Sequence, residues 1–163
     1  MKPTIRPACT QDHAAIWRIL EPVIRAGETY PLPRDWDRET ALAYWLSKRH
    51  QTFVAEIDLK ILGTYYLRPN QQGGGAHIAN CGYITAPNAR RRGIASAMCA
   101  HSLEQARVHG FRGMQFNFVV CTNQRAIALW EKMGFETMCQ LPNVFIHPED
   151  GPVDALIMFK SIG

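Results

Sequence analysis

Hydrophobic positions change their period several times along the chain, and each change marks an element. Residues 5–8 read as a short opening strand. Ala14, Ile16, Trp17, Leu20 and Ile24 then fall near helical spacing. That predicts a helix over about 11–25, capped by Thr10 and stopped by Gly27. Pro22 lies inside it and is expected to kink or split it. Pro31 and Pro33 make residues 28–36 a loop or an irregular crossing. Asp37 caps a second helix to about Arg49, with Ala41, Tyr44 and Trp45 on one side. Residues 52–57 and 61–67 read as strands joined by Asp58-Leu59-Lys60, a hairpin. Three consecutive glycines end a flexible turn, 70–75, that leads into a strand over 76–85.

The second half alternates strand and helix. A helix runs over about 93–108 and is closed by Gly110. Residues 113–120 are rich in aromatic and β-branched types and form a strand. Residues 123–132 are helical and end at Met133-Gly134-Phe135. The last strands are expected over 135–141 and 155–160. A long loop with Pro142, Pro148, Gly151 and Pro152 lies between them. This order predicts an α/β fold, a mixed sheet with helices on both faces. No repeat or composition shift divides residues 1–163, so one domain is expected.

Composition narrows the class. No apolar stretch approaches the roughly 18 residues of a membrane span. The start, Met1 to Arg6, has no apolar core of a signal peptide, so a cytoplasmic location is expected. The net charge of +4 suits an anionic ligand and does not by itself argue for nucleic acid. Five cysteines, an odd number without Cys-x-x-Cys spacing, argue against a disulfide framework and a zinc site, and no metal is expected. Cys99 falls on an apolar helix side. Cys81 and Cys121 lie on or beside strands, but a nucleophilic cysteine needs an adjacent base, and His77 is too far along the strand from Cys81.

The most informative segment is Arg90-Arg91-Arg92-Gly93-Ile94-Ala95, between a strand and a helix. Such a turn aims several backbone N–H groups at one spot. Gly93 and Ala95 leave room for close approach, and the arginines add positive charge. The product is a pyrophosphate site. The spacing Arg-x-x-Gly-x-Ala resembles the acyl-coenzyme A loop of the GNAT superfamily of N-acetyltransferases. A second segment strengthens the resemblance: Asn123-x-x-Ala126-x-x-x-Trp130-x-x-x-Gly134-Phe135 follows at the distance that family uses.

The resemblance implies a GNAT fold, a mixed and mostly antiparallel central sheet with splayed middle strands. It implies acetyl-CoA as co-substrate, its pantetheine arm lying in the gap like an added strand, with a bulge freeing backbone groups. By the same resemblance the N–H groups of Arg92, Gly93, Ile94 and Ala95 hold the pyrophosphate. Arg90 and Arg91 border it, and Ser96 adds a hydroxyl. Asn123 sits near the coenzyme A arm and also suits a helix cap. A backbone N–H near Tyr83 or Ile84 polarises the thioester carbonyl. Dimers are common in the family, so a homodimer is among the partners it allows.

Two departures shape the mechanism. Many family members carry a tyrosine where this chain has Trp130, and an indole has no proton it readily releases. Trp130 can still donate a hydrogen bond or wall the acetyl group. The strand before the phosphate loop, residues 77–84, holds no carboxylate, which leaves His77 through water, Tyr83, or alignment alone to serve the amine.

Asn80 and Asn117 interrupt apolar runs on the two splayed strands. A half-buried amide must be satisfied, so they either close the gap between strands or clamp a substrate's carboxylate and amine. Ala79-Asn80-Cys81-Gly82-Tyr83 and the run from Gln115 to Asn123 are similar to enzymes that N-acetylate proline analogues such as azetidine-2-carboxylate. By that resemblance Asn80 and Asn117 contact the amino acid and Asn123 contacts coenzyme A. With Tyr83, Asn80 and Asn117 are the residues expected to carry the reaction, and the expected acceptor is a small amine, an amino acid or a toxic analogue. Glu28, Thr29, Tyr30 and residues 143–151 are placed to complete the pocket. Alternatives are a phosphinothricin or methionine sulfoximine acetyltransferase, a protein N-acetyltransferase, and a non-catalytic acyl-CoA sensor.

Overall fold

The computed structural model describes residues 2–89 and 92–163. Strand β1 (Thr4–Pro7) leads through a 3-10 turn, Thr10–Asp12, into helix α1 (His13–Ala26). Helix α2 (Arg38–Trp45) follows, then strands β2 (Gln51–Ile57), β3 (Lys60–Pro69) and β4 (Ile78–Thr85). Helix α3 (Ile94–Val108), strand β5 (Gly113–Val120), helix α4 (Gln124–Lys132) and strands β6 (Glu136–His147) and β7 (Gly151–Ser161) complete the chain. The seven strands form one sheet in the order β1-β2-β3-β4-β5-β7-β6. Every pairing is antiparallel except β4 with β5. No described helix is long and apolar enough to cross a membrane.

Side chains of β3 show how both faces are covered. Tyr65 reaches His101 of α3, its hydroxyl 2.6 Å from Nδ1. Thr64 points the other way and accepts the indole N–H of Trp45 on α2 at 3.0 Å. The strand is therefore nearly continuously apolar, as a central strand with two covered faces must be. Trp130 of α4 packs on Tyr83 at 5.0 Å between ring centroids, which puts α4 on the same side as α3.

Local chemistry explains where elements begin and end. Asp58 and Leu59 have φ of 51° and 61°, the left-handed pair of a two-residue hairpin between β2 and β3. Asp37 caps α2 by accepting the Thr40 N–H at 2.8 Å. The helix stops at Trp45 instead of Arg49. The Trp45 carbonyl is taken by the Thr52 hydroxyl at 2.9 Å and lies 3.2 Å from His50 Nδ1. Helix α1 runs unbroken through Pro22. Thr10 does not cap it: the chain enters through the 3-10 turn, and the Asp12 carboxylate accepts the Cys9 N–H at 2.8 Å.

The long loop expected between the last strands is instead a hairpin, with β6 reaching His147 and β7 starting at Gly151. Its prolines misdirected the reading because β6 is the sheet edge. Pro142 falls in a register irregularity between Leu141 and Phe145, and Pro152 lies beyond the last residue of β7 that pairs with β5. Neither position asks the ring for a ladder N–H. Strand β4 begins at Ile78 instead of Ala76, because the Ala76 N–H closes a 3-10 turn onto Gly73 at 3.1 Å.

Arg6 and Asp12 tie β1 to the entrance of α1. The guanidinium grips the buried carboxylate at 2.7 and 2.9 Å. Hydrogen bonding to Arg6 holds this carboxyl well below the usual range, against the opposing effect of burial. A depressed native pKa stabilises the fold above the unfolded value of about 3.9, and that stabilisation is lost as pH falls through the native value. Asp12→Asn is therefore expected to lose about 1–3 kcal/mol at neutral pH. Its deficit against wild type should shrink below about pH 4. Thermal melts across the acid range check this. A constant deficit would place the role of Asp12 outside its charge.

Candidate active site

The site is built where β4 and β5 part. They pair only at Ile78–Gly113 and Ala79–Met114, and then diverge. Asn80 stands at the fork. Its amide donates to the Gln115 carbonyl at 2.9 Å, and its oxygen accepts from Arg68 Nε at 3.2 Å. It is buried, so one amide closes the strand gap and satisfies both of its ends. The bulge that the resemblance implies does not fall in β4. The β3–β4 register runs uninterrupted from Gly63–Thr85 to Pro69–Ala79. The irregularity falls in β5, between Phe116 and Val119, and contains Asn117.

Divergence, not a bulge, frees the β4 backbone. The Ile78 carbonyl bonds toward β3, to the Asn70 N–H at 2.7 Å. Alternation then turns the N–H and C=O of Cys81, Tyr83 and Thr85 toward the gap. The Tyr83 carbonyl accepts the Tyr30 hydroxyl at 3.0 Å, and the Tyr83 N–H shares that edge.

Two cavities meet there. The larger, about 600 Å³, runs from Gly93, Ile94, Ala95 and Ser96 to Tyr83, Ile84, Asn123 and Trp130. The smaller, about 280 Å³, lies between the loop at Thr29–Leu32 and the fork, with Tyr44, Tyr66, Arg68, Asn80 and Asn117 in its walls. Tyr30, Tyr83, Asn123 and Trp130 border both.

At the far end of the larger cavity, Gly93 is the N-cap of α3 with φ of 74°. The first helical bond to it comes from the Ala97 N–H, which leaves the N–H groups of Ile94, Ala95 and Ser96 without helical acceptors. A Cβ at position 93 would meet nothing within 4 Å among the described residues, and the larger cavity is lined by Gly93 through Ser96. Arg92 is exposed beside them. Arg90 and Arg91 lie outside the described residues. The donor set fits a pyrophosphate.

A family model described as Acetyltransferase (GNAT) family matches residues 12–135. The chain belongs to that family. A solved GCN5-related N-acetyltransferase from Kribbella flavida is 34% identical, with a TM-score of 0.94 and 98% of both chains covered. The N-acetyltransferase aca1 of Schizosaccharomyces pombe is 31% identical over 128 residues, or 69% of this chain. This chain spans 61% of that protein's length. The fold is shared with a phosphinothricin acetyltransferase from Sinorhizobium meliloti solved in complex with AcCoA. That protein is 20% identical with a TM-score of 0.88, and the match covers 100% of this chain and 90% of the other.

Within this GNAT frame the polar side chains sort by what they already hold. Ser102 gives its proton to the Cys99 carbonyl at 2.8 Å, so the Tyr83 hydroxyl, 2.6 Å away, is the donor to Ser102. Burial raises the Tyr83 phenol well above its ordinary value. Its side chain is therefore fixed into the α3 face, and its backbone is what faces the gap. Asn123 accepts the Ala126 N–H at 3.3 Å as the N-cap of α4 and borders both cavities. Trp130 is wedged between Tyr83 and Phe116, 4.9 Å from the latter, and walls the junction. Asn117 is exposed, not half-buried. It donates to Asn70 at 2.7 Å and accepts from Gln115 at 2.9 Å at the pocket mouth. His77 is exposed and borders neither cavity.

Two residues outside the predicted site gain importance. Tyr30, noted only by position, reaches the β4 edge because its loop is pinned to α1: the Arg34 side chain donates to the Arg25 carbonyl at 2.8 Å, and Arg25 returns a bond to the Arg34 carbonyl. Arg68 had no motif to mark it. It is the one charged side chain among the described residues that line the smaller cavity. The described carboxylates on the larger cavity are Glu28 and Asp150.

Cys81 borders the smaller cavity but is buried, and burial pushes its thiol up to about 12. At pH 8 its thiolate fraction is about 10⁻⁴, against about a quarter for an ordinary thiol. Peptide mapping after brief iodoacetamide treatment should label exposed Cys9 and Cys139 roughly 10³-fold faster than Cys81. Equal labelling would reopen a covalent cysteine route.

Proposed function

We propose that this GNAT chain transfers the acetyl group of acetyl-CoA to a small amine, an amino acid or toxic analogue, by direct attack in a ternary complex. One observation carries the reading: the two cavities meet at the β4–β5 gap, with helix-terminal N–H donors at the far end of one and a small polar pocket at the other. The N–H groups of Ile94, Ala95 and Ser96 bind the pyrophosphate, Asn123 contacts the pantetheine arm, and the gap-facing edge of β4 takes that arm as a strand. The pocket of about 280 Å³ suits a small acceptor better than a protein segment.

The Tyr83 N–H holds the thioester oxygen and stabilises the charge that develops there. Asn80 fixes Arg68, and Asn117 lies at the pocket mouth. The pocket they shape orients the acceptor so that its nitrogen lone pair meets the carbonyl carbon. On collapse the carbon–sulfur bond breaks, coenzyme A leaves, and the nitrogen gives up its proton to solvent. None of the described residues lining the acceptor pocket is a carboxylate. Alignment of amine and thioester supplies the rest of the rate.

Mass spectrometry of products from acetyl-CoA and an amino-acid panel tests this. The panel holds azetidine-2-carboxylate, cis-4-hydroxyproline, phosphinothricin and methionine sulfoximine. Acetylation of the cyclic imino acids alone would support the proline-analogue assignment. Acetylation of phosphinothricin or methionine sulfoximine alone would keep the reaction and sink that assignment. No product, with coenzyme A bound, would overturn the small-amine reading in favour of a protein acceptor or a sensor.

A further inference from the structure

We propose that Arg68 is the carboxylate reader of the acceptor pocket, so that the pocket takes amino or imino acids with a free carboxylate. The inference deepens the reading above and rests on it for the identity of the acceptor pocket. Arg68 leaves β3 directly opposite Asn80 on β4. Its Nε is spent on the Asn80 oxygen, and its guanidinium lies 5.6 Å from the Tyr66 ring centroid. Tyr66 is itself stacked on His50 at 4.2 Å and edge-on to Trp45 at 4.9 Å. The guanidinium plane is thus fixed on two sides before any ligand arrives. No described acidic side chain lies within ion-pair distance of it, and its two terminal nitrogens have no acceptor among the described residues.

A half-buried cation held in a cavity without a counter-charge is complementary to an anionic group, and two terminal N–H donors in one plane match a carboxylate. The placement also fits the reaction. Tyr83 lies three residues beyond Asn80, about 10 Å along the strand. An acetyl carbonyl at Tyr83, an attacking nitrogen and a carboxylate at Arg68 fit in line within that length. Amines without an acid group, such as polyamines, lose the anchor. A backbone-linked lysine of a protein has no free carboxylate to offer.

The test is calorimetric. Each of the four panel acids and its carboxamide is titrated into the wild-type protein, with and without coenzyme A, and into Arg68→Gln and Arg68→Lys. At least one acid is expected to bind wild type about 10- to 100-fold more tightly than its amide. Arg68→Gln should bring acid and amide within about 3-fold of each other, and Arg68→Lys should fall between. Coenzyme A affinity should be unchanged in both variants, because Arg68 does not border the larger cavity. Equal binding of every acid and amide to wild type, no binding of any acid, or discrimination that survives in Arg68→Gln would each overturn the proposal. The wild-type comparison decides alone if a variant does not fold. Failure to bind coenzyme A, with acid–amide discrimination intact, would sink the acetyl-transfer reading and leave carboxylate recognition by Arg68 standing without it.

Discussion

Gly82→Val is expected to cost about 3 kcal/mol and to lower Tm by about 6–12 °C. It should also raise the acceptor KM by at least about 10-fold. A Cβ at position 82 would lie 2.6 Å from Tyr66 Cε1 and 2.9 Å from its hydroxyl. The ring has nowhere to retreat, being stacked on His50, edge-on to Trp45 and edge-on to Tyr44 at 6.3 Å. Its remaining direction is the acceptor pocket, whose wall it forms. The φ of Gly82 is not in the left-handed region, so the penalty is steric and should be relieved by trimming the partner. Gly82→Val combined with Tyr66→Leu is therefore expected to regain more than half of the lost stability, though not the acceptor affinity. Thermal melts of the single and double variants decide it. A double variant no more stable than Gly82→Val alone would contradict the steric account. Coenzyme A affinity should survive in both, since Gly82 does not border the larger cavity.

Asn80→Leu carries the second large effect. It removes the donor to the Gln115 carbonyl and the acceptor for Arg68 Nε together. Leaving a buried carbonyl unpaired costs about 1–3 kcal/mol, and the strand fork loses its clasp. The expected result is a stability loss of about 2–3 kcal/mol and a fall in kcat/KM for the acceptor of at least about 10-fold. Asn80→Asp separates the two roles. It keeps the shape and the acceptor for Arg68, but sets a carboxylate oxygen against the Gln115 carbonyl. It also neutralises the cation assigned to the substrate carboxylate. Asn80→Asp should therefore bind the panel acids and their amides alike. Amide hydrogen exchange along β4 and β5 should speed up from the fork outward in Asn80→Leu. Unchanged exchange there would confine Asn80 to substrate contact.

The parts of the site that could be read from the chain are those built from consecutive residues. The turn that opens α3 needs glycine at a positive φ and small residues over a helix N-terminus, and Gly93-Ile94-Ala95 announces both. Asn123 announces a cap, and Gly134 at φ of 86° announces a helix stop. Asn80 and Asn117 stood out as polar interruptions of apolar strands. Which of them is buried, and what each amide holds, depends on partners 35 and 47 residues away. The place of the bulge was equally hidden. Register belongs to pairs of strands, and both β4 and β5 have extended, apolar patterns.

Arg68 and Tyr30 show the limit most clearly. Each is ordinary in its local sequence, a basic residue near a strand end and an aromatic residue just before Pro31. Arg68 becomes distinctive because β3 and β4 set it opposite Asn80 with no carboxylate in reach among the described residues. Tyr30 becomes distinctive because two arginines pin its loop where the phenol meets the Tyr83 carbonyl. Prolines in β6 and β7 misled for a related reason. A proline forbids a ladder N–H, but whether that N–H is needed depends on which strand ends the sheet.

The sequence by itself determined most of the alternation of strands and helices, the caps at Asp37 and Asn123 and the glycine turn that opens α3, because periodicity, capping and backbone freedom act over a few neighbouring residues. It also determined the family, through two short segments at a fixed separation. Only the tertiary structure decided where β4 and β5 part, which edge of β4 faces the gap, which amide is buried and which pocket-lining cation has no acidic partner among the described residues. Those are properties of side chains and strands far apart in the chain, and they exist once packing has brought them within hydrogen-bond reach.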